Sequence, residues 1–446
     1  MIVMKFGGTS VESAAAIERV TGIVRSRLAL RPVVVVSAMG KTTNKLLAIA
    51  HAAVRGERDQ ALSQLFELRD YHLRESNMER TVEQHFQDLA ELVRGLAILG
   101  ELSPRSIDAI SSFGERLSSL IVTNHFQKHG LYAVHVDARK VIVTDNRHTH
   151  ANPLYPETYA RLAETIPPLA QDRVVVMGGF IAATETGIGT TLGRGGSDFT
   201  AAIVGAGVGA DEIQIWTDVD GMLTCDPTIY PGGHRVKRIS FPEAAELAYF
   251  GAKVLHPATV IPAIDKNIPL RILNSLRPEG EGTVITAASV PSTNIVKSIA
   301  CKKLVTVLNI RSLRMFMVHG FLRRIFEVFD RFETSVDMVS TSEVTVSVTI
   351  DQTGRLPELL DELRQFSDVD VLTDQSIICL VGEKIPLTAG VGVRIFKALG
   401  PVNARMVSEG ASSMNLGFVV DFKDLAQAVA SLHQEFFSEL DPEVFE

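Results

Sequence analysis

The sequence predicts an α/β protein, a mainly parallel sheet sandwiched by helices, followed by two smaller βαββαβ units. Three observations predict it. Apolar β-branched runs alternate with helical patterns from residue 1 to about 290, the order expected of a parallel sheet. Short strands and helices of even length then take over, beyond a Ser/Pro-containing stretch at 287–293. Finally, 446 residues are too many for one ordinary core, so two or three domains are expected.

The first strand is expected around residues 2–6, followed by a glycine pair and a helix whose apolar face is Ile17, Val20, Val24 and Leu28. Thr9 with Glu12 has the form of a capping box for that helix. Pro32 ends it, and the continuous valine run 33–36 reads as a strand buried on both faces. Residues 46–128 are mostly helical in pattern. Strands resume at 133–136, 174–177, 213–216 and 270–273, so residues 1–290 form one α/β domain with a helical excursion.

Beyond the boundary, strands are expected near 295–301, 304–310, 335–339, 344–350, 369–372, 377–381, 404–407 and 416–421. Helices fit at 320–332, 356–365, 391–399 and 425–437. Eight strands and four helices make two βαββαβ units. The tally closes when 295–302 joins 376–446, with 303–375 inserted as the first unit.

Composition narrows the function classes. Hydrophobic residues are 46% and charged residues 22%, ordinary for a globular protein. No apolar stretch approaches the ~18 residues of a membrane span, and the N-terminus lacks the apolar core of a signal peptide. A cytoplasmic protein without a membrane partner is expected. Net charge is −8, from 44 basic and 52 acidic residues, with no basic tract, which weighs against nucleic acid as the main partner. Cys225, Cys301 and Cys379 are scattered and lack ligand-spaced histidines, so neither a disulfide framework nor a zinc site is expected. No metal ligand is assigned.

Four motifs carry chemistry. Lys5-Phe6-Gly7-Gly8-Thr9-Ser10, between strand and helix, allows close approach of a phosphate and adds a point charge; a tight turn with a surface lysine has the same form. Thr190-Thr191-Leu192-Gly193-Arg194-Gly195-Gly196-Ser197-Asp198 is a second glycine-rich cationic loop before a helix, readable as an anion site or as an N-capping Ser-Asp pair. Trp216-Thr217-Asp218-Val219-Asp220-Gly221 with Asp226-Pro227 follows a strand and suits either a nucleotide loop or a plain turn. Lys253, in Phe250-Gly251-Ala252-Lys253, is a further cation, and Glu115 is a helical carboxylate; His256 is given no role. There is no Ser-His-Asp set, no HExxH and no Cys/His cluster. Two cationic loops without a covalent nucleophile suit phosphoryl transfer, which needs positioning and charge neutralisation above all.

Together and in order, KFGGTSV, SAMGKTTN, FGERLS, TTLGRGGSDFTA, WTDVDGM and FGAKVLHP resemble the aspartate kinases of the amino-acid kinase superfamily, and the likeness covers nearly the whole chain. The resemblance implies an amino-acid-kinase-type sheet at 1–290 and two ferredoxin-like ACT units at 303–375 and at 295–302 plus 376–446. It implies phosphorylation of L-aspartate with ATP and Mg2+. Lys5, Gly7 and Gly8 would stabilise the transferred phosphoryl group, and Asp198 would orient Lys5. Arg194 would grip the α-carboxylate of aspartate and Glu115 its ammonium, with Ser37, Thr43, Phe180 and Ser197 lining the pocket. Lys5, Gly8, Thr217, Asp218, Asp226 and Lys253 would serve ATP.

Two departures bear on the nucleotide. Leu223 stands where the family often has Tyr, and Thr228 where it usually has Arg, which should weaken ATP binding more than abolish chemistry. In the ACT region the segment 335–343 resembles the effector loop of lysine-inhibited members. Asp337 would face the ammonium of L-lysine, with Met315, Gly320, Phe321, Leu322, Thr341, Ser342 and Glu343 completing the pocket. A strand-loop-strand rich in Ser and Thr needs no ligand, and Met317 stands where some lysine-sensitive members have a polar residue. ACT units that share effector pockets imply a homodimer or a tetramer. The rival readings are a related kinase acting on glutamate, acetylglutamate, carbamate or UMP, and a catalytically inactive amino-acid sensor.

Overall fold

Pro32–Val36 is buried along its whole length, and it pairs in parallel with a strand on either side, Ile2–Phe6 and Val174–Gly178. That is the environment a continuous valine run is suited to. The computed structural model describes residues 1–251, 257–312, 320–351, 353–410 and 412–446. Lys253, His256, Met315 and Met317, singled out above, lie outside them. The chain divides into two compact units, residues 1–222 with 255–288, and residues 223–254 with 289–446.

In the first unit the sheet runs Thr283–Thr286, Leu270–Asn274, Glu212–Thr217, Ile2–Phe6, Pro32–Val36, Val174–Gly178, Ala133–His135. All these neighbours are parallel except the first pair. The helices Ala14–Arg25, Thr42–Val54, Glu79–Leu99 and Phe113–Lys128 bury apolar residues in one core with the sheet, including Ile17, Leu46, Phe86 and Ile121. Gly196–Val208 packs on the first strand.

The first helix does not begin at the Thr9–Glu12 box. Gly8–Val11 forms a single 3-10 turn, and the helix starts at Ala14, where the Ser13 hydroxyl accepts from the Ala16 amide at 3.2 Å. Ser13 has the extended backbone an N-cap requires.

In the second unit an antiparallel sheet runs Val339–Thr341, Thr345–Ile350, Ser298–Arg311, Asp368–Val381, Asn415–Asp421, Met406–Glu409. Helices Phe321–Arg331 and Leu356–Leu363 cover part of it through Ile325, Val328, Phe329, Leu359 and Leu363. Val391–Leu399 and Leu425–Phe437 are the other two helices. Four of the expected strands merge into two. Ser298–Arg311 and Asp368–Val381 pair with each other through the polar stretches where the pattern suggested breaks. The interruption is absorbed by register shifts between Lys302 and Val307, with Leu304 and Asp374 in the left-handed region. Each long strand thus serves both halves of the sheet. The strand expected at 335–339 lies later in the chain, at Val339–Thr341, and overlaps the expectation only at Val339.

The three cysteines are free and buried, and burial raises the Cys225 thiol to about 11. Among the described residues no helix is long and apolar enough to cross a membrane.

Candidate active site

The parallel strands of the first unit end side by side, and their carboxyl ends carry the residues of interest. Lys5 aligns with Val35 on one neighbour and Ile215 on the other, so Lys5, Ser37, Gly178 and Thr217 emerge at one edge. In open α/β sheets that edge is where ligands bind. A cavity of about 350 Å³ lies there, bordered by Lys5, Ser37, Thr43, Asn44, Glu115, Phe180, Ser197, Asp198 and the loop Gly193–Gly196 with Arg194.

Backbone geometry brings these segments together. A Cβ on Gly8 would stand 2.6 Å from the Gly40 carbonyl oxygen and 2.9 Å from that of Ala38, so only glycine lets the two loops meet. The Gly40 amide donates to the Gly8 carbonyl at 3.0 Å. Phe180 adopts φ 66°, rare for a ring-bearing residue. It is held there on both sides: its amide donates to the Thr200 hydroxyl at 2.9 Å, and its carbonyl accepts from the Leu192 amide at 2.9 Å. Strain fixed in this way clusters at functional sites.

Helix Gly196–Val208 starts without a side-chain cap, after Gly195 at φ 71°. Its first turn offers amide donors and the positive end of the helix dipole to the cavity. The first glycine loop differs: it leads into the 3-10 turn rather than a helix start.

The charges are distinct in state. Lys5 Nζ lies 2.7 Å from Asp198 Oδ1, both side chains mostly buried. Arg194 is exposed on the cavity rim. Glu115, near the start of helix Phe113–Lys128, is buried, and its Oε2 has no hydrogen-bond partner among the described residues. Burial pushes its carboxyl up to about 8, against the opposing effect of the Ala38 amide and its own. The backbone around it is tight: a Cβ on Gly114 would meet Ala38 Cβ at 2.7 Å, and one on Gly178 the Glu115 carbonyl oxygen at 2.9 Å.

Other residues singled out in the sequence do not line this cavity. Gly7 adjoins the cavity residues, its amide donating to the Trp216 carbonyl at 3.3 Å. The Thr217 hydroxyl donates to Asp218 at 3.2 Å. Asp226 belongs to the second unit, where it pairs with Lys303 at 3.1 Å and accepts from Thr228. Burial would raise the Asp226 carboxyl, but those partners hold it below its usual range.

Asp337 is also in the second unit, with Oδ1 2.6 Å from Lys302 Nζ. Its Oδ2 is buried without a partner among the described residues, and burial raises the carboxyl despite Lys302. Gly320 precedes helix Phe321–Arg331 in the left-handed region, Phe321 stacks edge-on with Phe366, and Leu322 is exposed. Thr341 ends a strand, and Ser342 bonds with Thr345 beside Glu343 in the exposed turn.

Comparison with known proteins places this geometry. A model of the amino acid kinase family matches residues 1–274, and an ACT domain model matches 378–436. Aspartokinase 2, chloroplastic, of Arabidopsis thaliana is 41% identical over 463 residues, covering 99% of this chain and 85% of that protein. Lysine-sensitive aspartokinase 3 of Escherichia coli strain K12 is 36% identical over 447 residues, covering 98% and 99%. The chain belongs to the aspartokinases. The crystal structure of Escherichia coli aspartokinase III with lysine and aspartate superposes with a TM-score of 0.87 at 35% identity, covering 98% of this chain and 99% of that one. The same enzyme with aspartate and ADP gives 0.84 at 35% identity, covering 98% and 100%.

In this aspartokinase two residues at or behind the cavity escaped the sequence reading. Asn44 borders it from helix Thr42–Val54. Asp108, fully buried in helix Pro104–Ser111, accepts from the Thr191 hydroxyl at 2.6 Å, His148 Nδ1 at 2.7 Å and the Thr149 amide at 3.0 Å. It thereby ties down the strand that enters the Arg194 loop. The signal available was an aspartate at an apolar position of a helical pattern, which the periodicity alone does not separate from a surface carboxylate.

Proposed function

We propose that this protein transfers the γ-phosphoryl group of ATP to the side-chain carboxylate of L-aspartate, giving 4-phospho-L-aspartate and ADP, under restraint by L-lysine. The observation that carries the reading is the cavity in which a Lys5–Asp198 pair, an exposed Arg194 and a buried, half-unpartnered Glu115 converge. A guanidinium suits the substrate's α-carboxylate, and a carboxylate suits its ammonium. Held at both groups, aspartate presents its β-carboxylate, which is ionised at neutral pH and needs no general base. Lys5 and the first-turn amides that follow Gly196, those of Ser197 and Asp198, would then face the charge on the phosphoryl group.

Burial holds Glu115 largely protonated at neutral pH, and the arriving ammonium is the charge that would favour its ionised form. Thr217, Asp218, Asp226 and Lys253 are proposed for the nucleotide side, together with Lys5 and Gly8, and Gly7 is proposed with Lys5 and Gly8 for the transferred phosphoryl group. Mg2+ takes hard oxygen donors and keeps part of its shell as water and phosphate. Asp198 and Asp218 are such donors, and the ion would supply neutralisation of the phosphate charge.

The regulatory reading rests on Asp337. An alkylammonium, Lys302, already sits against one oxygen, and the other is buried and unpartnered among the described residues. The carboxylate therefore suits the ammonium of L-lysine, with Met315, Gly320, Phe321, Leu322, Thr341, Ser342 and Glu343 proposed around it. Residues 1–290 would form the catalytic domain, 303–375 the effector-binding ACT unit, and 295–302 with 376–446 the second. A homodimer formed through these units, in the cytoplasm, completes the proposal.

The test is MgATP turnover with L-aspartate against L-glutamate, trapping the acyl phosphate with hydroxylamine, with and without L-lysine. Aspartate-dependent hydroxamate suppressed by lysine is expected. Equal or greater product from glutamate overturns the substrate, and indifference to lysine overturns the effector.

A further inference from the structure

Away from the cavity, three side chains of the first unit converge on one point. Helix Ala14–Arg25 contributes Glu18, and the last turn of helix Phe113–Lys128 contributes His125, with His129 at its cap. Glu18 Oε2 lies 2.9 Å from His125 Nε2 and 3.4 Å from His129 Nε2. The two imidazoles stack with ring centroids 4.0 Å apart, and the three candidate ligand atoms lie within 4.8 Å of one another.

The proton positions make the arrangement informative. His129 Nδ1 lies 2.8 Å from the His125 carbonyl, which can only accept, so Nδ1 carries the hydrogen. In the neutral ring Nε2 then has a bare lone pair, and it faces a carboxylate oxygen. Two lone-pair atoms brought together in this way suit a cation between or beside them. A ligating imidazole commonly donates its other nitrogen to a backbone carbonyl in this way.

We propose that Glu18, His125 and His129 bind a divalent cation of the zinc class. With bonds of about 2.0–2.1 Å, a tetrahedral ion separates its ligand atoms by about 3.3–3.4 Å. The two carboxylate–imidazole separations here, 2.9 and 3.4 Å, come close to that spacing, and rotation of the stacked rings, now 19° apart in plane, would turn both Nε2 lone pairs onto the ion. Two imidazoles and one carboxylate suit zinc better than calcium or magnesium, and the half-exposed Glu18 leaves a fourth position to water. The carbonyl end of the helix favours a cation. Arg25 opposes it in charge, but its guanidinium is directed at the His129 carbonyl, 2.6 Å away. The ion would clip the helix that follows the first glycine loop to the helix that carries Glu115. Spacing of four residues on one helix was present in the sequence for His125 and His129; Glu18, more than a hundred residues away, was not connected to them.

The test is calorimetric titration of the chelator-treated full chain with ZnCl2 at pH 7.5, on the wild type, Glu18→Gln and His129→Gln, with thermal unfolding with and without zinc. One saturable site per chain is expected, weakened about tenfold or more in each variant, with a Tm rise on adding zinc that is larger in the wild type than in either variant. Glu18→Gln, a surface change, keeps the test interpretable should the histidine variant fold poorly. Absence of a saturable wild-type site overturns the proposal. Unchanged binding in both variants also overturns it, because the ion then sits elsewhere.

Discussion

Lys5 Nζ lies 2.7 Å from Asp198 Oδ1, linking the end of the first strand to the first turn of helix Gly196–Val208. The ammonium is therefore aimed by a carboxylate rather than left to sample rotamers, at the strand edge where the phosphoryl group would pass. Replacing Lys5 with Met should lower kcat by about 10²–10³, the usual loss for one charge-stabilising donor. KM for aspartate should change much less. Steady-state kinetics with varied aspartate checks both, and an unaltered kcat would remove Lys5 from the chemistry.

Glu115 sets a pH dependence. Its carboxyl ionises near 8 in the unliganded fold, against an ordinary value of 4.5. Below about 8, aspartate binding must expel a proton, so KM for aspartate should rise by up to about tenfold per pH unit as pH falls. Glu115→Gln should lose that slope and bind aspartate poorly at every pH. The same shift acts on stability. Between 4.5 and about 8 the folded state holds a proton that the unfolded chain has lost, so this group's contribution to stability falls as pH rises through that window. Urea unfolding of the wild type and Glu115→Gln at pH 6 and 8.5 should show the wild type losing stability relative to the variant as pH rises, because glutamine has no proton to lose.

Asp337→Ala should keep full kinase activity and lose inhibition by L-lysine. The fold should tolerate the change because Lys302 keeps a second partner, Asp351, at 2.7 Å. Initial rates across a lysine titration read the outcome; retained sensitivity would place the effector elsewhere.

Asp108 is buried and accepts from Thr191, His148 and Thr149. Asp108→Ala strands those donors and should cost about 3 kcal/mol in urea denaturation. Asp108→Asn should be milder in stability yet raise KM for aspartate, because Thr191 precedes the Arg194 loop by only three residues. Wild-type KM in a stable Asn variant would show that Asp108 only supports the fold.

The sequence displayed what is local. Valine runs announced the buried parallel strands, and glycine next to cationic residues announced the loops at their ends. What it hid depends on partners distant in the chain. Ser13 rather than Thr9 caps the first helix, because the 3-10 turn after Gly7 uses up the residues between. Lys302-Lys303 and Thr373-Asp374 looked like strand ends, but the mutual pairing of two long strands carries the backbone through them. Asp108 drew no notice in the sequence, because its partners Thr191 and His148 are distant in the chain. The pairing of Asp337 with Lys302 likewise spans 35 positions.

The most direct test of the central claim follows the oxygen. L-Aspartate labelled with 18O in its β-carboxylate is mixed with MgATP and the enzyme, and the products are read by 31P NMR before the acyl phosphate hydrolyses. The account predicts a new phosphorus resonance carrying the isotope shift of a bridging 18O, stoichiometric with ADP. ADP formed with only unlabelled inorganic phosphate would contradict it, since water and not the aspartate carboxylate would then be the acceptor.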